Sequence, residues 1–223
     1  KEVTNSIYPD LSDGAIEAAA SALIASVEEA TGDKLKVPIP VERIAENFLG
    51  YRIEVTDQGL FADPDYLGGI DFESKTILVN ASVEDHDGRY AFTIAHELGH
   101  HVLHRSHFLN HASEQGTGIM CRSRAKRPAI EYQADRFAAA LLMPAATLEP
   151  AARSLSRRTP GPKRSQRLAA RLITEGGFSN VSHQAMRYRL RELGIGHDPL
   201  ALPRVVYSIS VWGLRLLRRF KRD

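Results

Sequence analysis

The stretch YAFTIAHELGHHVLH, residues 90–104, determines most of what this chain can be. At about 100° per residue it predicts an amphipathic helix over 89–104 with a buried apolar flank. His96 and His100 lie one turn apart on the opposite flank, so both imidazoles project toward one point. Glu97 follows His96 directly and lies beside that point. The apolar flank consists of Ala91, Ile94, Ala95, Leu98 and Val102.

This spacing is the HExxH pattern. Its two neutral imidazoles bind Zn²⁺, and its carboxylate lies beside the open coordination position, where a general base is needed. A catalytic zinc site needs a third protein ligand. The metzincin class is excluded, because the position six residues after His100 is Ser106 and not a histidine.

A second predicted helix, 128–142, supplies the best candidate for the third ligand. Glu131 and Asp135 lie one turn apart at the edge of its apolar flank, where burying a carboxylate is costly without a positive partner. Zn²⁺ would compensate Glu131, and Asp135 would accept the ring N–H of a ligand histidine. A solvated acidic face with ion pairs to Arg136 remains an alternative. The apolar flank consists of Ile130, Ala134, Phe137, Ala138 and Leu141.

His104 is a rival third ligand on the first helix. It lies two turns from His96, and three ligands on one helix would strain a tetrahedral site. We therefore expect His104 to support the site from behind a ligand or to be structural.

Composition sets the broad class. The chain has 223 residues, 43% hydrophobic and 25% charged, which is typical of a globular protein and excludes disordered and fibrous classes. No apolar run reaches the roughly 18–20 residues of a membrane span, and a secretory pattern is lacking at the start, so we expect a cytoplasmic protein. The lone Cys121 excludes an internal disulfide and a cysteine-only metal site.

Charge divides the chain. Residues 1–148 hold 13 Lys and Arg against 22 Asp and Glu, whereas 149–223 hold 16 against 5. We predict a metallopeptidase domain over 1–148 and a basic helical region over 149–223. Within the latter, 166–194 resembles a helix-turn-helix segment, whose helix 182–193 either contacts nucleic acid or packs. The tail 195–223 includes an apolar, arginine-rich stretch, 205–220, that could associate weakly with a membrane or a partner.

The other predicted elements are helices and strands in the remaining parts of the chain. Helices are expected over 12–31, 40–50 and 166–174, and strands over 51–55, 66–72 and 75–80. A long irregular loop is expected over 105–127, and 150–162 has the composition of a linker.

The sequence resembles the ImmA/IrrE-type zinc metallopeptidases. The resemblance rests on FTIAHELGH at 92–100 with Leu103-His104, and on ExxADxFA at 131–138 followed by LLMP at 141–144, and it covers roughly 37–195. It implies an α+β, gluzincin-like fold: a zincin-like core with a small three-stranded sheet and active-site helices. It also implies His96, His100 and Glu131 as zinc ligands and Glu97 as the catalytic carboxylate.

The resemblance further implies a zinc endopeptidase. Its expected substrate is a helix-turn-helix repressor or antitoxin, whose cleavage derepresses a mobile-element, stress or toxin–antitoxin response. The alternative is a non-proteolytic zinc-containing regulator or toxin-like module that binds a repressor or DNA. Glu97 favours the enzyme, because a purely structural zinc site has no use for a base.

Three features of the predicted site stay open. Oxyanion donors are unranked among Tyr90, Tyr132, Arg122 and His183. The sheet edge for an extended substrate is expected at 67–71 or 77–80. Manganese or iron would also suit the predicted ligands.

Overall fold

The computed structural model describes residues 8–63, 65–110, 119–121, 129–159 and 163–195. Over these residues the chain forms helices and one small sheet, which confirms the predicted α+β class. The helices are α1 Asp13–Thr31, α2 Val41–Arg43 with a π-helical turn Ile44–Phe48, α3 Asp87–Asn110, α4 Ala129–Leu142, α5 Ala145–Ser156, α6 Arg164–Thr174 and α7 His183–Glu192. The strands are β1 Arg52–Thr56, β2 Gly68–Asp71, β3 Thr76–Asn80 and β4 Ile119–Cys121, and short 3₁₀ turns cover Gly59–Ala62 and Ala81–Val83.

The sheet has the strand order β1-β3-β2-β4. β3 runs parallel to β1 and antiparallel to β2, with Ile77 opposite both Ile53 and Ile70. β4 adds antiparallel to the other side of β2 and pairs with Gly69–Asp71. The three predicted strands are therefore present, and the sheet gains a fourth.

The prediction of an irregular loop over 105–127 was wrong in two places. Residues 105–110 are the last turns of α3, and β4 occupies 119–121. The helix continues because Phe108 is buried and its ring lies 5.1 Å from the ring of Phe72. Packing on the sheet thus extends a segment that lacks helical periodicity in its sequence.

α1 lies against α4 and supports it from outside. Ser12 accepts a hydrogen bond from the Ala15 N–H at its start, and Gly32 ends it with φ 75°, the left-handed conformation that glycine adopts easily. Asp13 then holds α4, since it accepts a hydrogen bond from Tyr132 and forms an ion pair with Arg136. The buried face of α1 is Ile16, Ala20, Leu23 and Val27.

α3 and α4 approach each other closely at Gly99. A Cβ atom on Gly99 would lie 3.1 Å from the Cα of Ala134 and 3.3 Å from the Cβ of Phe137. Glycine therefore lets the two helices pack backbone against backbone, which turns the HExxH face of α3 toward α4. The apolar flank of α3 is buried as predicted except at Val102, which is 36% exposed. Leu109, two turns further along the same face, is 43% exposed. Other elements therefore bury this flank of α3 only as far as Leu98.

The prediction of a linker over 150–162 was wrong for its first half, because residues 145–156 form α5. Leu148 and Ala152 lie one turn apart and are fully buried, and this spacing outweighs the helix-breaking tendency of Pro150, which lies on the exposed side. α5, α6 and α7 bury their apolar faces in the same continuous core as α1 and the sheet.

One of the three arginines on α7 is buried. Arg189 is only 2% exposed; its side chain donates to the Met143 carbonyl at 3.1 Å and pairs with Glu17 on α1. Arg187 and Arg191 remain exposed. Because Arg189 satisfies the carboxyl end of α4 and a carboxylate of α1, this observation favours a packing role for α7 over nucleic-acid contact. The tail 205–220 lies outside the described residues.

None of the helices formed by the described residues is both long and apolar enough to cross a membrane.

Candidate metal centre

His96, His100 and Glu131 meet at the contact between α3 and α4. Their ligand atoms all lie within 4.8 Å of one another, and the three residues are 1%, 3% and 6% exposed. The Nε2 atoms of the two histidines are 3.0 Å apart. His96 Nε2 lies 3.3 Å from Oε2 of Glu131, and His100 Nε2 lies 3.3 Å from Oε1. The structure thus brings together the three residues that the sequence predicted as ligands. Glu131 follows the nearer of the two histidines, His100, by 31 residues along the chain.

This triangle has the dimensions of a zinc site. Tetrahedral ligands with bonds of about 2.0–2.1 Å stand about 3.3–3.5 Å from each other. Each Nε2 atom lies 3.3 Å from its nearer carboxylate oxygen, and the two Nε2 atoms are slightly closer to each other, at 3.0 Å. Two imidazoles and one carboxylate are also a donor set that Zn²⁺ accepts in catalytic sites. The residues therefore fit a single divalent ion, with one tetrahedral position left for water or substrate.

Asp135 fixes the ring of His96. Its Oδ1 lies 2.9 Å from His96 Nδ1, and a carboxylate can only accept, so Nδ1 carries the proton. The lone pair of His96 Nε2 then points at the other two candidate ligands. Asp135 follows Glu131 by one helical turn, which is the arrangement that the sequence predicted.

His104 lies behind His100 and outside the triangle. It is fully buried, and its Nδ1 is 3.0 Å from His100 Nδ1. Its other nitrogen, Nε2, lies 2.9 Å from Oε1 of Gln133. The position of His104 agrees with a supporting role and not with the rival assignment as third ligand.

Gln133 was missed by the sequence analysis. It is 2% exposed and donates to the carbonyl of Pro9 at 2.8 Å. The only signal in the sequence is an amide on a helix whose neighbours are largely apolar. Its partners lie 29 and 124 residues away, and nothing in the local sequence pairs them with it.

The electrostatics of the cluster favour an ionised carboxylate. Burial alone would raise the pKa of Glu131, but hydrogen bonds from His100 and His96 and their positive charge, when these rings are protonated, outweigh burial and hold that pKa far below its ordinary value. Burial lowers the pKa of His104 to about 4, and the neighbouring His100 contributes in the same direction. Glu131 is therefore an anion and His104 a neutral ring at neutral pH.

Glu97 lies between α3 and β2. It is 2% exposed, and its Oε1 would be 2.8 Å from a Cβ atom placed on Gly68. The Cγ2 atom of Thr93, one turn earlier on α3, would be even closer to that Cβ atom, at 2.5 Å. The glycine at the start of β2 thus makes room for the carboxylate that the sequence predicted as the general base.

Gly68→Ala is expected to slow peptide hydrolysis about 10–100-fold, because the added methyl group must displace the Glu97 carboxylate. Zinc affinity should stay near the wild-type value, since the three atoms nearest the added Cβ belong to Thr93, Glu97 and Leu78 and not to a candidate ligand. Gly14→Ala is the matched control, because a Cβ at Gly14 meets nothing within 4 Å. Cleavage rate and zinc content measured together decide the matter, and an unchanged rate or a parallel loss of zinc contradicts this role for Gly68.

The candidate oxyanion donors are placed less favourably. The hydroxyl of Tyr132 is directed to Asp13. Burial raises the pKa of Tyr90, and the charges of Glu42, Glu46 and Glu84 raise it further. His183 is an exposed residue at the start of α7. Arg122 lies outside the described residues.

The predicted substrate edges are also corrected. β2 and β3, which overlap the predicted ranges 67–71 and 77–80, are interior strands of the described sheet. The parallel pairing of β1 with β3 and the addition of β4 to β2 cover both, and the edges are β1 and β4. Sequence patterns do not reveal strand order, so this pairing could not be foreseen.

Comparisons with known proteins agree with the motif. The sequence profile of the M78 peptidase family, described as the IrrE N-terminal-like domain, matches residues 52–191. A comparison with curated proteins finds no match. The family match spans both α3 and α4, the two helices that carry the candidate ligands, and it covers more than half of the chain. The chain belongs to the M78 peptidase family with an IrrE N-terminal-like domain.

Proposed function

We propose that the chain is a zinc-dependent endopeptidase whose ion is held by His96, His100 and Glu131. The observation that carries the proposal is the buried cluster of these three residues, in which the two Nε2 atoms are 3.0 Å apart and each lies 3.3 Å from a different oxygen of the Glu131 carboxylate. Membership of a peptidase family supports the reaction class. Zinc is favoured over the harder ions because two of the three donors are imidazole nitrogens.

The chemistry follows from the residues around that triangle. Zn²⁺ held there would lower the pKa of a bound water toward about 7 and polarise the scissile carbonyl. Glu97 accepts the proton of the attacking water and passes it to the leaving amine. Asp135 and His104 hold the rings of His96 and His100 in place while this happens.

The arrangement suits catalysis better than structural metal binding. A structural zinc site is closed by four protein ligands, whereas three protein ligands leave a position for water. Glu97 is buried beside the metal-binding face of α3 and is not among the three clustered residues. A carboxylate buried in that place can act as a general base, a role for which a closed site has no use.

The substrate is proposed from the family resemblance. We infer a helix-turn-helix repressor or antitoxin, cut in an extended segment, because peptides commonly add to a sheet edge in such enzymes. The side of the sheet that ends in β4 is favoured for this segment. β2, the neighbour of β4, is the strand that contacts Glu97 through Gly68.

The test is incubation of the purified chain and Zn²⁺ with helix-turn-helix repressors and antitoxins from the same organism. Gel and mass analysis should show one or a few specific cuts that disappear with a chelator and return with zinc. Binding without any cut, unaffected by replacement of Glu97, would instead favour the non-proteolytic regulator.

A further inference from the structure

A line of buried hydrogen bonds connects the N-terminal segment to His100. Gln133 Nε2 lies 2.8 Å from the carbonyl oxygen of Pro9, and Gln133 Oε1 lies 2.9 Å from His104 Nε2. His104 Nδ1 in turn lies 3.0 Å from His100 Nδ1. The three side chains are 2%, 0% and 3% exposed, so they exchange these partners with solvent only if the site opens.

The chemistry of the first group sets the direction of every bond in this line. A carbonyl oxygen can only accept, so the Gln133 atom that faces Pro9 is the NH₂ group and the atom that faces His104 is an acceptor. His104 Nε2 therefore carries a proton, and in the neutral ring His104 Nδ1 is an acceptor. His100 Nδ1 must then donate to it, which leaves a lone pair on His100 Nε2.

That lone pair faces the metal centre. His100 Nε2 lies 3.0 Å from His96 Nε2, whose lone pair is turned inward by Asp135, and 3.3 Å from Glu131. In this tautomer the lone pairs of both Nε2 atoms and the Glu131 carboxylate face one point, and a bound cation compensates such an arrangement. If every hydrogen bond in this line ran in the opposite direction, a proton would lie on His100 Nε2 and block metal binding.

We propose that Gln133, anchored by the Pro9 carbonyl, is a positioning residue that fixes through His104 the ring tautomer in which His100 binds the metal ion. The proposal deepens the proposed function, because it rests on His100 being a ligand. It also makes the N-terminal segment part of the support of the metal centre. The ring of Tyr8, next to Pro9, packs edge-on against His104 at 5.7 Å between centroids.

The first test needs no variant. Nitrogen-15 NMR of the histidine rings in the metal-free full chain distinguishes the two tautomers. We expect a proton on Nδ1 of His96 and His100 and on Nε2 of His104. A proton on Nε2 of His100 overturns the proposal.

The second test is zinc affinity, measured by competition with a chromophoric chelator. Gln133→Met removes the acceptor and should weaken zinc binding about 10–100-fold, the usual effect of losing a partner behind a ligand. Gln133→Glu should retain most of the affinity, because a carboxyl oxygen still accepts from His104. Gln184→Met, on α7, is the matched control and should leave the affinity unchanged.

The outcomes separate this proposal from the proposed function. A wild-type chain that binds no zinc contradicts the proposed function, while the NMR measurement still decides the tautomer. A wild type that binds zinc, with Gln133→Met binding it equally well, overturns the positioning role alone. Equal losses in Gln133→Met and Gln133→Glu also contradict it, because they show a requirement for the amide's packing and not for its acceptor.

Discussion

Glu97→Gln is expected to abolish peptide hydrolysis while zinc stays bound. Glutamine keeps the size and the hydrogen-bonding reach of the buried side chain but cannot take a proton from water. General-base catalysis contributes about 10²–10⁴-fold, so the cleavage rate should fall by at least the lower figure. None of the three candidate ligands is altered, so metal content should remain at one ion per chain.

The measurement pairs elemental analysis with the rate of substrate cleavage. Glu73→Gln makes the same chemical change on the exposed turn between β2 and β3 and should leave both quantities unchanged. A Glu97→Gln variant that still cleaves at more than about a tenth of the wild-type rate removes Glu97 from the role of base.

Glu131→Ala is expected to lose the metal, and with it the activity. Glu131 is the one anion among the three clustered residues, and the neighbouring histidines hold its pKa far below the ordinary value. Its replacement leaves two imidazoles from one helix, which cannot complete a catalytic site. Zinc affinity should fall more than about 100-fold, beyond the 10–100-fold typical of a partner that acts through a ligand.

Asp135→Asn gives the graded comparison for this result. An amide can present either its oxygen or its NH₂ group to His96 Nδ1, so the ring is held less firmly. The zinc affinity should therefore fall only about 10–100-fold. Glu149→Ala, on the exposed side of α5, is the neutral control for removal of a glutamate. Retention of zinc by Glu131→Ala, with loss in His104→Ala, would instead assign the third ligand to His104.

The centre of the fold could be predicted because its signal is local. Residues four apart on a helix share a face whatever surrounds them, so the sequence alone places His96 beside His100. Glycine in the middle of a buried helix indicates close approach of another element, and at Gly99 that element is α4. The pairing of Glu131 with Asp135 on α4 follows the same rule of one helical turn.

The supporting residues could not be predicted because their partners are distant in sequence. Gln133 contacts Pro9 and His104, and Arg189 contacts Glu17, across separations of 124, 29 and 172 residues. Both side chains read as ordinary polar positions on amphipathic helices. Burial and a specific partner emerge only when α1, α4 and α7 pack together.

The boundaries of α3 and α5 differ from the prediction because composition and the spacing of apolar residues indicate different structures there. Pro150 and the serines and arginines that follow are typical of a linker, yet Leu148 and Ala152 have helical spacing and both reach the core. The segment after His104 is rich in polar residues, yet Phe108 packs against Phe72, which directly follows β2. Burial of a few apolar side chains outweighs weak local preferences in both places.

The most direct test of the metal centre is X-ray absorption at the zinc edge of the full chain reconstituted with one equivalent of zinc. We predict two imidazole nitrogens and carboxylate or water oxygen at about 2.0–2.2 Å, with the imidazole contribution reduced in His96→Ala. A shell of sulfur at about 2.3 Å, or an imidazole contribution that His96→Ala leaves unchanged, would contradict the centre built from His96, His100 and Glu131.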